Sequence, residues 1–408
     1  MRRFVASLSV FAFGLLSSGC AFDSAPESGS VGRDRSPIIN GVGSTAEDDS
    51  AVWVGVLSAE GCPSGMCSGV LLADNVVLTA RHCVSQTQGG GVACAKDGRP
   101  ISGGGVRRDY EASRLAVVVG PKMGGKAAAR GQQVLNSGTN NLCNNDIAIV
   151  ILDRHIEGAK IAPVRLETAP AKDEKILAVG WGVSNNSSRY GRRRRPDIPI
   201  LAVGPFSSSS IGAVGPNEFA IGEGICSGDS GGPAYSMETG AVVGVVSRGG
   251  NGAPYDPTSD PDYTQCVDTG DYTTRNIYTR VDTFKDLVLQ AFAIAGGEPW
   301  VEGGPDPRKA KAGTACASGD VCRSGLCVEA NGGLVCVDPC VEGACSDGFT
   351  CTAASGTPVC APIAPPSAAL DEAGGGGGCA SVSAPASAGA TPLFGLALAA
   401  LLATRRRR

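Results

Sequence analysis

Histidine is the scarcest catalytic residue type in this chain. Among 408 residues there are two, His82 and His155. Any nucleophile that needs an imidazole base therefore has two candidates. Positive charge is not in excess either. The formal net charge is -4, without the basic surplus of a nucleic-acid-binding protein, and the arginine runs at 192–195 and 405–408 are local. Long apolar runs are missing too. The run within TPLFGLALAALLATRRRR holds about 12 residues, where a membrane helix needs about 20. Only the Ala-rich SAPASAGA upstream could extend it. Aromatic residues at 5%, hydrophobic residues at 42%, 59 glycines and 25 prolines suit globular cores joined by many turns rather than long helices. The length leaves room for two to three domains.

Cysteine is abundant. Seventeen cysteines exceed cytosolic usage and imply export to an oxidising compartment with a disulfide framework. The N-terminus agrees. Residues 1–20, MRRFVASLSVFAFGLLSSGC, carry Arg2 and Arg3, an apolar run and then small residues, the pattern of an export signal. Its end, LLSSGC, resembles a bacterial lipobox with Cys20 as the lipidated residue, although Ser17 stands where leucine is usual. The alternative is a plain signal peptide cut near the same place. Residues 21–37 are polar and without apolar periodicity, a linker or pro-segment.

From IINGV at Ile38, short apolar segments follow one another: AVWVGVL, CSGVLLADNVVLTA (two strands around an Ala-Asp-Asn turn), LAVVVG, DIAIVIL, KILAVGWG and GAVVGVVS. Gly, Asn and Pro clusters separate them, as in an all-β barrel or sandwich. One helix is predicted in VDTFKDLVLQAFAIAGG, with Phe284, Leu287, Val288 and Ala291 on one face, a cap at Asp282 or Thr283 and a stop at Gly296 and Gly297. Residues 298–315 form a Gly/Pro/Lys linker. Eight cysteines then fall between Cys316 and Cys360, with gaps of 5, 4 and 8 residues, then 3, then 4, 5 and 8. This is a small disulfide-rich module of two related halves, too small to hold itself by its core. Zinc is disfavoured, because no histidine and no CxxC lies there. Residues 361–391 are a low-complexity linker containing Cys379, and residues 392–408 carry the apolar segment and the arginines.

The stretch EGICSGDSGGPAYS, residues 223–236, sets Ser230 between an aspartate and two glycines. A serine hydroxyl needs a base to become a nucleophile. His155, in the charged turn LDRHIEG, reads as a solvated surface residue; His82, in VVLTARHCV, ends an apolar strand beside Cys83 and is the better base. Asp146 opens the apolar strand of CNNDIAIVIL, where a carboxylate is costly to desolvate without a partner. The chain order His82, Asp146, Ser230 is that of the chymotrypsin class.

Here a resemblance is plain. Residues 38–297 resemble a trypsin/chymotrypsin-family serine protease: LTARHC is similar to its histidine motif, NDIAIVIL to its aspartate motif and GDSGGP to its serine motif, with VGWG, VVSRGG and IYTRV in the family's order. The resemblance implies an all-β fold of two antiparallel six-stranded barrels with a C-terminal helix and the triad between the barrels. It implies that Ser230 attacks the scissile carbonyl, His82 moves the proton, Asp146 orients His82, and the N–H groups of Gly228 and Ser230 form the oxyanion hole. Ser247, Arg248 and Gly249 would pair with extended substrate. Cys67–Cys83 and Cys226–Cys266 match the family's disulfides, Cys94–Cys143 is a further pairing, and Cys62 is left over.

The departures narrow the reading. The base of the primary pocket, six residues before Ser230, is Gly224 and not aspartate, with Glu223 beside it and able to swing inward. Arg/Lys cleavage is therefore not expected. Gly249 leaves a pocket wall open while Asn276 fills part of the space, so a small or apolar residue is favoured. The family's new amine would be Ile38, paired with Asp229, but Pro37 precedes it. Either another protease cuts there, or Asp229 finds a different partner. RYGRRRRPD reads as an exposed solvated loop or a processing site, and YDPTSDPDYTQCVDTGD as an acidic loop whose spacing fits no EF-hand calcium site.

The function expected is an exported, envelope-anchored serine endopeptidase that acts on protein or peptide substrate without metal or cofactor and without nucleic acid. The alternative is a catalytically silent surface binding protein on a protease fold. Membrane attachment would come through the Cys20 lipid or the C-terminal segment. Cys379, the apolar segment and the arginines together resemble the C-terminal sorting signals of surface-anchored myxobacterial proteins; a permanent C-terminal membrane anchor is the other reading. Nothing identifies a partner for the cysteine-rich module.

Overall fold

The computed structural model describes residues 38–363, except 60, 90, 123–125, 183–190, 255–263 and 355. The export signal, Cys20, Cys379, the apolar tail and most of the acidic loop lie outside the described residues. Among the described residues no helix is long and apolar enough to cross a membrane.

The chain opens with a two-residue strand, β1 (Val42–Gly43). The first barrel is built from β2 (Ala51–Leu57), β3 (Pro63–Ala73), β4 (Val76–Thr79), β5 (Leu115–Val118), β6 (Ala129–Asn136) and β7 (Ala148–Leu152). It closes in the order β6-β7-β4-β3-β2-β5, all antiparallel. The second barrel uses β8 (Lys175–Gly180), β9 (Arg193–Val203), β10 (Glu218–Ile221), β11 (Pro233–Ser236), β12 (Val242–Gly250) and β13 (Arg275–Arg280). These run in the order β9-β8-β11-β12-β13-β10, a β9–β10 pairing closes the ring, and β1 adds to β9 outside it. The expected double six-stranded architecture is thus present.

Strand DIAIVIL is apolar at every position because both of its faces are buried. Ala148, Val150 and Leu152 fill the first barrel with Val52, Val54, Leu71 and Val117. Ile147, Ile149 and Ile151 pack outward against Val179, Val242, Val245 and the C-terminal helix. A period-2 pattern needs one wet face, and this strand has none. The second barrel has its own interior, with Phe219 stacked on Tyr278 at 5.0 Å between ring centroids.

His82 sits on α1 (Arg81–Val84), a single turn after β4. The second helix, α2 (Lys285–Ala295), buries Leu287, Val288, Ala291 and Phe292 and stops at Gly296, whose φ is 83°. Its expected cap does not form. Residues Asp282–Phe284 make a 3-10 turn instead, with Asp282 paired to Arg280 and the Thr283 hydroxyl donating to the Arg280 carbonyl.

Beyond α2 the chain stays on the barrels. The Trp300 carbonyl accepts from Val164 N–H (2.8 Å), and Glu302 N–H donates to the Val164 carbonyl (2.9 Å). Glu302 also joins Glu174 on the buried guanidinium of Arg165. In the disulfide-rich segment Cys316 bonds Cys327, Cys322 bonds Cys336, Cys340 bonds Cys351 and Cys345 bonds Cys360. Each half links its first cysteine to its third and its second to its fourth.

Candidate active site

The acid of the site is built first by the backbone. Cys94–Cys143 and the turn at Asn144 (φ 66°) lead into Asp146, which is 1% exposed. Three donors meet its carboxylate: His82 N–H at 2.9 Å, His82 Nδ1 at 2.8 Å and the Ser247 hydroxyl at 2.7 Å. Burial opposes ionisation of Asp146, but the charge and hydrogen bonds of His82 and the hydroxyl of Ser247 outweigh it, so its pKa lies below the usual carboxylate value. Burial likewise opposes a charged His82. The carboxylate of Asp146 wins, and the pKa of His82 lies above 6.5. The Cys67–Cys83 disulfide ties α1 to β3.

Ser230 arrives on the turn between Cys226 and β11. Its carbonyl accepts from Ser68 N–H (2.7 Å) and lies 3.5 Å from Cys83 Sγ, next to His82 in sequence. Gly231 has φ 75°, and a side chain there would strike Thr79, Ser68 and Ala80. Only glycine lets the serine turn press this closely against the residues that lead into His82. Ser68, unnoticed in the sequence, holds three pieces together: its hydroxyl donates to the Gly228 carbonyl and accepts from Trp181 N–H, both at 3.0 Å. The one signal for it was a small polar residue inside the apolar run CSGVLL.

Asp229 is fully buried and accepts from Gly182 N–H (2.7 Å), Cys226 N–H (2.9 Å) and the Ile38 amide. A side chain at Gly180 or Gly182 would collide with its carboxyl, which accounts for the two glycines of VGWG. Cys226 is joined to Cys266. Cys62, left over in the sequence reading, is disulfide-bonded as well.

Around the primary pocket, Gly224 faces Ile198 and Ile221, and a Cβ there would lie 3.0 Å and 3.3 Å from their Cδ1 atoms. Asn276 is buried against Gly249 and donates to the Gly222 carbonyl at 2.8 Å. Glu223 does not turn into the pocket. Its carboxylate takes Asn40 Nδ2 at 2.6 Å and Asp268 N–H at 2.9 Å, with Arg195 at 3.6 Å. The side chains of Ser247 and Arg248 are spent on the protein: Ser247 on Asp146, and Arg248 on a bidentate pair with buried Glu218 at 2.7 and 2.8 Å. Glu218 also accepts from the N–H groups of Asn144 and Gly215.

The arginine run at 192–195 is not the exposed solvated loop expected from its charge. It enters β9, and the Arg192 side chain is completely buried. His155 is exposed, as expected, and meets Asp74 at 2.7 Å. The sulfurs near His82 and in the cysteine-rich segment are tied up in disulfides, so no thiolate is free there to hold a metal.

A double barrel with a buried aspartate on a histidine, and a glycine-framed serine whose carbonyl meets Ser68 N–H and the cysteine next to that histidine, defines a class of hydrolase, and the family comparison gives the class its name. The trypsin family model matches residues 39–288, more than half of the 408-residue chain. The chain belongs to the trypsin family and is a serine-type endopeptidase. Its relatives include trypsin alpha-4 of Lucilia cuprina, 28% identical over 244 residues that cover 58% of this chain and 86% of the relative. Trypsin beta of Drosophila erecta is 26% identical over 259 residues, covering 61% of this chain and 90% of the relative. Granzyme M of Rattus norvegicus is 25% identical over 211 residues, covering 47% and 72%.

Proposed function

We propose that the chain hydrolyses peptide bonds through an acyl-enzyme on Ser230, with His82 as general base and then general acid. Asp146 keeps the His82 ring in the tautomer that leaves Nε2 free to accept a proton, and stabilises the imidazolium that follows. The N–H groups of Gly228 and Ser230 stabilise the oxyanion; losing one such donor costs roughly 100- to 1000-fold in rate. The observation that carries this reading is the buried carboxylate of Asp146, gripped at three points by His82 and Ser247.

Cleavage is not directed to Arg or Lys, because no acid stands at Gly224 and the nearby Glu223 is engaged by Asn40, Asp268 and Arg195. With Asn276 against Gly249, the pocket takes a small or apolar residue. The backbone of Ser247 to Gly249 offers an edge for extended substrate. The protein is exported and held at the cell envelope, by a lipid on Cys20 or by the C-terminal segment with Cys379.

The test is labelling by a fluorophosphonate probe, wild type against Ser230→Ala. Removal of a triad serine costs about a million-fold in turnover, so label should vanish with the hydroxyl. Absence of label on the wild type would instead favour a binding protein on a protease fold.

A further inference from the structure

One residue of the first barrel holds the carbonyls of both Gly228 and Ser230. Ser68, on β3, is fully buried, and each of its polar groups has a partner. Its N–H donates to the Ser230 carbonyl at 2.7 Å. Its carbonyl accepts from the Thr79 hydroxyl at 2.8 Å. Its hydroxyl accepts from Trp181 N–H and donates to the Gly228 carbonyl, both at 3.0 Å. The direction is fixed. The N–H of Trp181 takes a lone pair of Oγ, which leaves the hydroxyl proton for the carbonyl. A hydroxyl that accepts one bond is polarised to give a stronger one. The N–H groups of the serine turn divide in two. Those of Asp229, Gly231 and Gly232 donate to the Cys226, Val246 and Asp229 carbonyls. Among the described residues, those of Gly228 and Ser230 meet no acceptor.

These two free N–H groups need anchors. Gly228 has a φ of 97°, and a glycine there can swing its peptide groups at little cost. Packing stops it on one side, where a Cβ would lie 2.9 Å from both Gly182 Cα and Met66 Cε. Its rotation is stopped by hydrogen bonds. The peptide from Gly228 to Asp229 is held at one end by Asp229 N–H on the Cys226 carbonyl (3.1 Å) and at the other by the Ser68 hydroxyl. The peptide from Ser230 to Gly231 is held by Ser68 N–H and by Gly231 N–H on the Val246 carbonyl (2.8 Å). On the reading that this chain is a protease with its oxyanion hole at Gly228 and Ser230, we propose that Ser68 is a positioning residue whose hydroxyl, acting through the Gly228 carbonyl, aims the Gly228 N–H at the oxyanion. The grip on Ser230 comes from the backbone and survives any side chain. The grip on Gly228 depends on this residue being serine. Negative charge develops at the hole only as the transition state forms, so the contact serves kcat and not substrate binding.

The test compares the full chain with Ser68→Ala, Ser68→Gly and Ser68→Thr. Three quantities are measured: kcat and KM for a peptide, the acid limb of the rate profile, and inhibition by a peptidyl trifluoromethyl ketone. Ser230 Oγ adds to the ketone carbon, the hydroxyl proton passes to His82, and the ketone oxygen becomes an oxyanion in the hole. Ser68→Ala should lose about tenfold in kcat, less than the roughly 100- to 1000-fold of a deleted donor, with KM little changed. Affinity for the ketone should fall by the same factor. The acid limb should stay in place, because His82 and Asp146 keep their contacts. Ser68→Gly also removes the hydroxyl, should show the same split, and serves if Ser68→Ala does not fold. Ser68→Thr keeps the hydroxyl and should restore most of kcat. A lowered Tm with kcat unchanged in the variants that lack the hydroxyl makes it a structural part and overturns the proposal. A loss of kcat that moves the acid limb runs through His82 and overturns it too, as does a folded Ser68→Thr as slow as Ser68→Ala. In all three cases an active wild type leaves the protease reading standing. A wild type that neither cleaves peptide nor takes a fluorophosphonate label overturns both.

Discussion

The Ser247 hydroxyl donates to Asp146 Oδ2, the oxygen that also meets His82 Nδ1. Both contacts lie in a pocket where the carboxylate has almost no water. Each bond compensates part of the desolvation that would otherwise protonate the acid. Ser247→Ala removes one donor to a charged acceptor, worth about 1.5–3 kcal/mol. We expect kcat/KM to fall by roughly ten- to a hundred-fold. Peptide hydrolysis by the variant, checked against an unchanged near-ultraviolet dichroism spectrum, measures it. An unchanged rate would show that His82 alone fixes Asp146.

The acid limb of the rate profile follows from the same pair. His82 must be neutral to accept the proton of Ser230. Burial disfavours its charged form, but Asp146 reverses the balance and holds the pKa above 6.5. The logarithm of kcat/KM should therefore fall with unit slope below a pKa that lies above 6.5. The linkage has the corresponding sign. His82 contributes stability that is fully present below its unfolded value and is lost as pH rises through its folded pKa. Asp146, whose pKa is lowered, contributes stability above its unfolded value that is lost as pH falls through its folded one. A titration of kcat/KM with a small uncharged ester locates the limb; a midpoint below 6.5 contradicts the assignment.

Asp229 runs the other way. Burial raises its pKa from an ordinary 3.8 to about 7, and the amides of Cys226, Gly182 and Ile38 pull it back only in part. Between about 4 and about 7 the folded chain holds a proton that the unfolded chain has released. Stability from this group is present at the acid end and is lost as pH rises, by about 1.4 kcal/mol per pH unit. Asp229→Asn cannot titrate. Urea unfolding of the two proteins, both carrying Ser230→Ala to prevent self-digestion, should give a difference in free energy that changes with pH across this window. A constant difference refutes it.

Arg192 is the most consequential residue of the arginine run for stability. Its side chain is 0% exposed and its partners include Asp49 at 2.6 Å. Removing one member of a buried ion pair costs about 3–5 kcal/mol, because Asp49 and the carbonyls of Thr45 and Ala51 lose their donor. Arg192→Ala should lower Tm by roughly 10 °C, at about 2–4 °C per kcal/mol for a domain of this size. Arg192→Lys should rescue little, since an ammonium cannot reproduce a fork shared among four acceptors. Differential scanning calorimetry of the three proteins decides it.

The same arginines mark where the sequence was hardest to read. Runs such as AVWVGVL and DIAIVIL announced strands because burial on both faces of a barrel wall leaves no polar position. His82 and Asp146 stood out because each lies at the edge of such a run, and Ser230 because an aspartate and two glycines frame it. A run of four arginines carries no local sign of burial. Its partners, Asp48, Asp49, Ile39 and Glu223, are distant in sequence, and only the closing of the second barrel brings them within reach. Ser247 hid for a similar reason: a serine before SRGG's arginine reads as part of a substrate edge until Asp146 folds against it. The start of α2 was misplaced because Asp282, a good cap residue by type, is taken by Arg280.

The last prediction concerns what enters the pocket. Asn276 pairs across the sheet with Gly249, and a Cβ built on Gly249 would come within 1.8 Å of Asn276 Oδ1. The carboxamide therefore occupies the space that Gly249 leaves, and its donation to the Gly222 carbonyl holds it there. Asn276→Gly removes that filling. It should shift preference from small residues toward aromatic ones at the cleaved position. One to three kcal/mol of discrimination, roughly 10- to 200-fold, is the usual yield of a change in pocket size. The ratio of kcat/KM for matched peptides with Phe and Ala at that position measures the shift. An unchanged ratio would mean that the Ile198 and Ile221 side chains around Gly224, and not Asn276, set the depth of the pocket.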